Sequence, residues 1–158
     1  MIQRKQTIFL FLAMTAMILH FIFPIANFTG SGQYQLEYYL YKVVNHVPDG
    51  QSPVDSNFLM FGTALAGLVG LGAFITIFFF KKRLLQAKIV RILILFILAH
   101  IGLLFFYSIP VLEKISGNMA QYNYVGIAMP LVAFVFLIFA LKGIISDEKL
   151  VRSADRLR

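Results

Sequence analysis

The sequence predicts an all-α integral membrane protein, a four-transmembrane-helix bundle with both termini on the cytoplasmic side. Three observations predict it. First, 59% of the 158 residues are hydrophobic and the mean hydropathy is +0.81, above the roughly 45–50% apolar content of a soluble domain. Second, the charged residues, 13% of the chain, gather in short clusters and leave four stretches almost free of charge. Each is about 20 residues long, the length a helix needs to cross roughly 30 Å of hydrocarbon. Third, the basic residues alternate from one side of the chain's crossings to the other.

The first stretch covers residues 7–26 and opens with Ile8-Phe9-Leu10-Phe11-Leu12. Arg4 and Lys5 precede it as they would a signal peptide. Its apolar run exceeds the roughly 7–15 residues of a signal-peptide core, and Thr29-Gly30-Ser31 is a poor cleavage pattern, so an uncleaved helix is expected. Residues 57–80, 89–109 and 122–141 form the other three spans. Apolar residues surround each of them, as suits a helix whose solvent is lipid. Pro24 and Pro110 are read as span ends, and Pro130 as a kink inside the fourth helix.

An outer loop of about 30 residues, 27–56, follows the first span. Within it, Tyr34, Leu36, Tyr38 and Leu40 alternate as in a strand, while Leu36, Leu40, Val43, Val44 and Val47 also fit one helical face. The aromatic and β-branched content favours a short strand or hairpin. Pro48-Asp49-Gly50 signals a turn, and Pro53 with Asp55-Ser56 leads into and caps the second helix. An inner turn, residues 81–88, makes helices two and three an antiparallel hairpin. A second outer loop, 110–121, is broken by Pro110 and Ser116-Gly117-Asn118. In the tail, 142–158, Ser146 is expected to cap a short amphipathic helix with Leu150, Val151, Ala154 and Leu157 on one face and Glu148 paired to Arg152.

Orientation follows from charge. Twelve of the 14 Lys and Arg residues lie before the first span, between the second and third or at the inner rim of the third (Arg91), or after the fourth. Lys42 and Lys114 alone occupy the other side. Basic loops stay cytoplasmic, so both ends face inward, and the surface there carries Lys81, Lys82, Arg83, Lys88, Arg152, Arg156 and Arg158 against lipid headgroups. A bilayer explains the net charge of +7 better than nucleic acid does. The chain has no cysteine, which excludes disulfides, thiolate catalysis and thiolate metal sites.

Several segments carry a family resemblance: Met1-Ile2-Gln3-Arg4-Lys5-Gln6-Thr7 at the start, Ile77-Phe78-Phe79-Phe80-Lys81-Lys82-Arg83-Leu84-Leu85-Gln86 at the inner turn, and Asp147-Glu148-Lys149-Leu150-Val151-Arg152 continuing to Arg158 in the tail. With four spans in this length, the chain resembles the domain-of-unknown-function family 4293 of Bacteroidota-type bacteria. The resemblance implies an inner-membrane protein of four helices with no established activity, and it supplies no functional residues.

The residues themselves offer few sites. His20 and His100 are ionisable groups within spans, which by default calls for a functional hypothesis. At 1.5 Å per residue both lie at a similar depth, about 20 and 17 Å from the inner edge. Two such imidazoles could ligate a haem axially or bind a quinone; the plainer alternative is hydrogen bonding within the bundle. Gly62, Ala66 and Gly70 place three small residues on one face of helix two, for packing or as a seam for a partner. His46 near Asp49 and Asp55 lacks metal-ligand spacing. No Asp, Glu, Lys or Arg lies mid-span, which argues against a coupled transporter. The expectation is therefore a non-enzymatic structural or accessory subunit of an inner-membrane assembly, without a required cofactor, in contact with the bilayer and with a membrane-protein partner or a second copy. A haem- or quinone-binding redox subunit is the alternative, and a small transporter the next.

Overall fold

A computed structural model describes residues 5–30, 34–47, 54 and 56–156. Four of its helical segments are long and apolar enough to cross a membrane: Lys5–Ile22, Asn57–Phe78, Arg83–Ser116 and Tyr124–Val151. The elements run α1 (Lys5–Ile22), β1 (Ala26–Phe28), β2 (Leu36–Tyr38), β3 (Val43–Asn45), α2 (Ser56–Phe78), α3 (Arg83–Leu103), α4 (Ile109–Ser116), β4 (Gln121–Tyr122) and α5 (Tyr124–Arg156). Helix α1 packs on α2 and α5, and α3 packs on the same two. Helices α1 and α3 therefore face each other across the diagonal of the bundle.

That diagonal is filled in matching layers. The buried residues of α1 include Gln6, Leu10, Ala13, Met17 and His20; those of α3 include Gln86, Val90, Leu93, Ile97 and His100. Both sets step by four, three, four and three, the seam spacing that keeps one stripe of a helix against its partners. A glutamine opens each set and a histidine closes it. Much of the remaining surface of α1 and α3 is apolar but exposed, as at Phe11 and Leu95.

Several boundaries differ from the sequence expectation. Helix α1 ends at Ile22 rather than continuing to residue 26, because Pro24 disfavours helical backbone in the residue before it. Ala26 then belongs to β1. The turn expected over residues 81–88 shrinks to the 3₁₀ turn Phe79–Lys81 and Lys82, with α3 under way at Arg83. Leu84, Leu85, Gln86 and Ala87 are good helix formers with no breaker among them. Gln86 also donates its side-chain N–H to the Thr76 carbonyl at 3.1 Å, one of the unsatisfied carbonyls at the end of α2.

Pro110 does not terminate the third span. The helical path continues through a π turn, Leu104–Ser108, into α4, where Pro110 occupies the first turn. Proline lacks an N–H for the carbonyl one turn back and its ring crowds that carbonyl; a π turn just before it relieves both. The stop comes at Gly117, whose φ of 69° closes α4 through a bond from its N–H to the Glu113 carbonyl. Nor does a separate tail helix begin at Ser146. Helix α5 runs unbroken to Arg156, since Gly143 alone does not break it. The Glu148–Arg152 pair and the faces of Ala154 and Leu157 lie outside the described side chains, as do Lys81, Arg152, Arg156 and Arg158.

The first loop folds as sheet. Strand order is β3-β2-β1-β4, all neighbours antiparallel, with Ala26 opposite Tyr38 on one side and Tyr122 on the other. The period-two reading wins: Leu36, Tyr38 and Leu40 are buried beneath the sheet, while Glu37 points out to His46, 3.1 Å away. The turn at 48–50, Pro53 and Asp55 lie outside the described residues. The sheet seats on the bundle end where α1 and α3 finish.

Candidate functional site

Beneath the sheet, the two buried histidines meet. His20 is fully buried and His100 is 1% exposed, and their Nε2 atoms lie 3.0 Å apart with the rings edge to face. His20 Nδ1 lies 2.8 Å from the carbonyl oxygen of Gly126, in the first turn of α5. His100 Nδ1 faces the Gly62 carbonyl of α2 without completing a hydrogen bond. Each of the four long helices thus contributes one member to a single row of polar groups.

The backbone explains why the row is asymmetric. In a helix the Gly126 carbonyl would accept from residue 130, but residue 130 is proline and has no N–H. That carbonyl is an orphan, and His20 Nδ1–H supplies the missing donor. The Gly62 carbonyl meets the N–H of Ala66 in the ordinary way and requires nothing. Proton counting then fixes the tautomers of the neutral pair. A carbonyl only accepts, so His20 carries its proton on Nδ1 and its Nε2 must accept. His100 therefore carries its proton on Nε2 and donates it to His20. Its Nδ1 is left as a bare lone pair, in accord with the absence of a partner there.

Glycine at 126 is a second requirement. A Cβ at that position would run into the Pro24 carbonyl, where the chain leaving α1 crosses the start of α5. The same crossing is tied by the Asn123 N–H to the Ile25 carbonyl at 3.0 Å. Close approach of α1 and α5 puts His20 within reach of Gly126. Among the described residues no carboxylate, lysine or arginine acts on either imidazole.

The arrangement does not fit the axial-ligand reading. A metal held between two imidazoles needs about 2 Å to each nitrogen, hence roughly 4 Å between them, and a porphyrin needs open space around that axis. Here the nitrogens touch. A quinone carbonyl would need the one N–H that His100 already gives to His20. Among the described residues no group of three or more His, Cys, Asp or Glu is placed to hold a metal, and His46 pairs with Glu37 instead.

The small-residue face of α2 divides between two roles. A Cβ at Gly62 would meet Leu103 and Leu40 and one at Gly70 would meet Met17, and Ala66 is fully buried, so these three pack against neighbouring helices, with Ala66 and Gly70 also lining a groove beside α1. Gly67, one position off that line, has nothing within 4 Å. It floors an apolar groove of about 430 Å³ between α1 and α2, walled by Met14, Ile18, Phe21 and Phe74. Of the basic residues, Lys82 and Lys88 are exposed, and Arg83 bonds the Asp147 carbonyl at 3.2 Å.

Sequence reasoning brought out both histidines but missed Gly126, Gln6, Gln86 and the part that Pro130 plays beyond a kink. The signal for Gly126 was present: a glycine four residues before an in-helix proline is a carbonyl without its donor. A family model, described as a domain of unknown function (DUF4293), matches residues 2–157. No curated protein matches the chain.

Proposed function

The chain belongs to the domain-of-unknown-function family DUF4293, and from that premise we propose that it is a multi-pass protein of the bacterial inner membrane, both termini cytoplasmic, serving as a non-catalytic structural or accessory subunit. The single observation that carries the reading is the histidine pair. Three of its four ring nitrogens are committed, two to each other and one to the Gly126 carbonyl, which favours a clasp between helices over a site presented to a substrate. Polar groups of this kind hold helices together where apolar burial gives no drive, because lipid is as apolar as the side chains.

The place where a partner would seat is the apolar α1–α2 groove over Gly67, a position where an added Cβ would meet nothing within 4 Å. The charge asymmetry supports the orientation, since basic segments resist translocation. Purification in mild detergent followed by mass spectrometry tests the role. A stoichiometric membrane-protein partner, lost in a Gly67→Leu variant that keeps its helical spectrum, is the expected result. A chain that purifies alone at native expression overturns the accessory reading. Reporter fusions after residue 156 and within 34–47 test the orientation, and an external signal from the former overturns it.

A further inference from the structure

At the end of the bundle opposite the sheet, a cleft of about 480 Å³ opens between the starts of α1 and α3 and the far part of α5. Its size is in the range of small-molecule sites, about 300–1,000 Å³. Lys5 and Arg83 both line it, with Asp147 the carboxylate on the same wall. Arg83 spends one N–H on the Asp147 backbone carbonyl, which fixes the guanidinium at the cleft and leaves its other donors.

Gln6 sits in the lining too, and it is the informative residue. It is 1% exposed, yet among the described residues neither its amide nitrogen nor its oxygen has a partner. Buried amides are nearly always satisfied, so an unpaired one asks for a missing group. Its counterpart across the diagonal, Gln86, has the Thr76 carbonyl for its N–H; the N–H of Gln6 has none among the described residues. Gly143 adds no side chain over Gln6, and a Cβ there would already touch it at 3.4 Å. Leu150 and Val151, 65% and 40% exposed, form an apolar lip to the same cleft.

Two cations from different helices, a buried N–H without an acceptor and an apolar lip make a set that matches a phosphate attached to acyl chains. We infer that this cleft binds the phosphate of an anionic phospholipid, held by Lys5, Arg83 and the Gln6 amide with a chain lying over Leu150 and Val151. The inference rests on the membrane reading above but not on the accessory role.

The test uses the full chain, stripped of lipid in non-ionic detergent and titrated with phosphatidylglycerol or phosphatidylcholine under native mass spectrometry. Phosphatidylglycerol should bind preferentially. Lys5→Gln and Arg83→Gln should each weaken it about fivefold, the scale of one cation near a lipid phosphate, with phosphatidylcholine unchanged. Gln6→Leu removes no charge and should still weaken phosphatidylglycerol several-fold, which general surface attraction would not do. Lys42→Gln, at the other end of the bundle, should change nothing. Equal binding of the two lipids, or unchanged phosphatidylglycerol affinity in Gln6→Leu and Lys5→Gln, overturns the inference. Displacement of the lipid by millimolar inorganic phosphate would assign the cleft to soluble phosphate compounds and overturn the lipid assignment. A chain that extracts as a soluble protein would instead sink the membrane reading itself.

Discussion

Replacing His20 by alanine tests the clasp most directly, provided that Pro130 is replaced as well. In His20→Ala the Gly126 carbonyl and the His100 N–H both lose their partners in a buried setting. At about 1–3 kcal/mol for each unsatisfied group, the loss is about 2–6 kcal/mol before any cavity. In a Pro130→Ala background, the substituted alanine supplies the helical N–H that the Gly126 carbonyl lacks. Only the His100 donor is then orphaned, so His20→Ala should cost about 1–3 kcal/mol less. Packing defects from the lost pyrrolidine ring occur in both arms of the Pro130 comparison and cancel. The assay is a double-mutant cycle on reversible unfolding in mixed micelles, followed by circular dichroism or steric trapping. An ordinary interhelical bond in a membrane protein couples by about 0.6 kcal/mol on average; the double variant should be more stable than additivity predicts by clearly more than this. Coupling below about 0.5 kcal/mol, the usual scatter of independent sites, would refute the claim that His20 stands in for the missing proline donor.

Three further outcomes are expected. Nitrogen-15 spectra of ring-labelled protein at neutral pH should show His20 protonated on Nδ1 and His100 on Nε2; two identical tautomers would contradict the proton count. Gly126→Ala should destabilise the fold by about 3 kcal/mol or more, because its Cβ meets rigid Pro24 backbone and overpacking has no side chain to displace; Gly62→Ala, facing only side chains at 3.5 Å and beyond, should cost under about 1.5 kcal/mol, and thermal melts of the two variants decide. Burial pushes the Tyr38 phenol above its ordinary 10.0, against a smaller opposing effect of its bond to Ser108. A raised native value favours the neutral form in the folded state, so its contribution is intact below about pH 10 and is lost as pH rises from there through the native value. Alkaline unfolding should be less steep in Tyr38→Phe; an identical profile would exclude the phenol as its cause.

The four helices were legible because their signal is bulk hydropathy, which survives any error in packing. The seam between them was not. In lipid an exposed leucine is as acceptable as a buried one, so periodicity of apolar residues carries no inward direction. The stripe is written instead in the exceptions: Gln6, Ala13 and His20 on α1, Gln86 and His100 on α3. Both histidines were found because polar residues in a span are conspicuous, and their shared depth followed from counting residues. The direct meeting of their Nε2 atoms did not, since that distance depends on how closely α1 and α3 approach across the bundle. Helix ends erred at Pro110 and Ser146 for opposite reasons. A π turn absorbed a strong breaker, and a good cap residue was overridden by uninterrupted helix on both sides.

The proline in α5 also bears on how the bundle comes together. Inserted alone, this helix carries one carbonyl that nothing in itself can satisfy, and such a group in hydrocarbon costs several kcal/mol. Docking of α1 in the proper register removes the defect; a helix lacking a donor at the height of Gly126 leaves it. Helix α5 therefore checks the identity and depth of α1, since a mispaired bundle keeps an uncovered polar spot at Gly126.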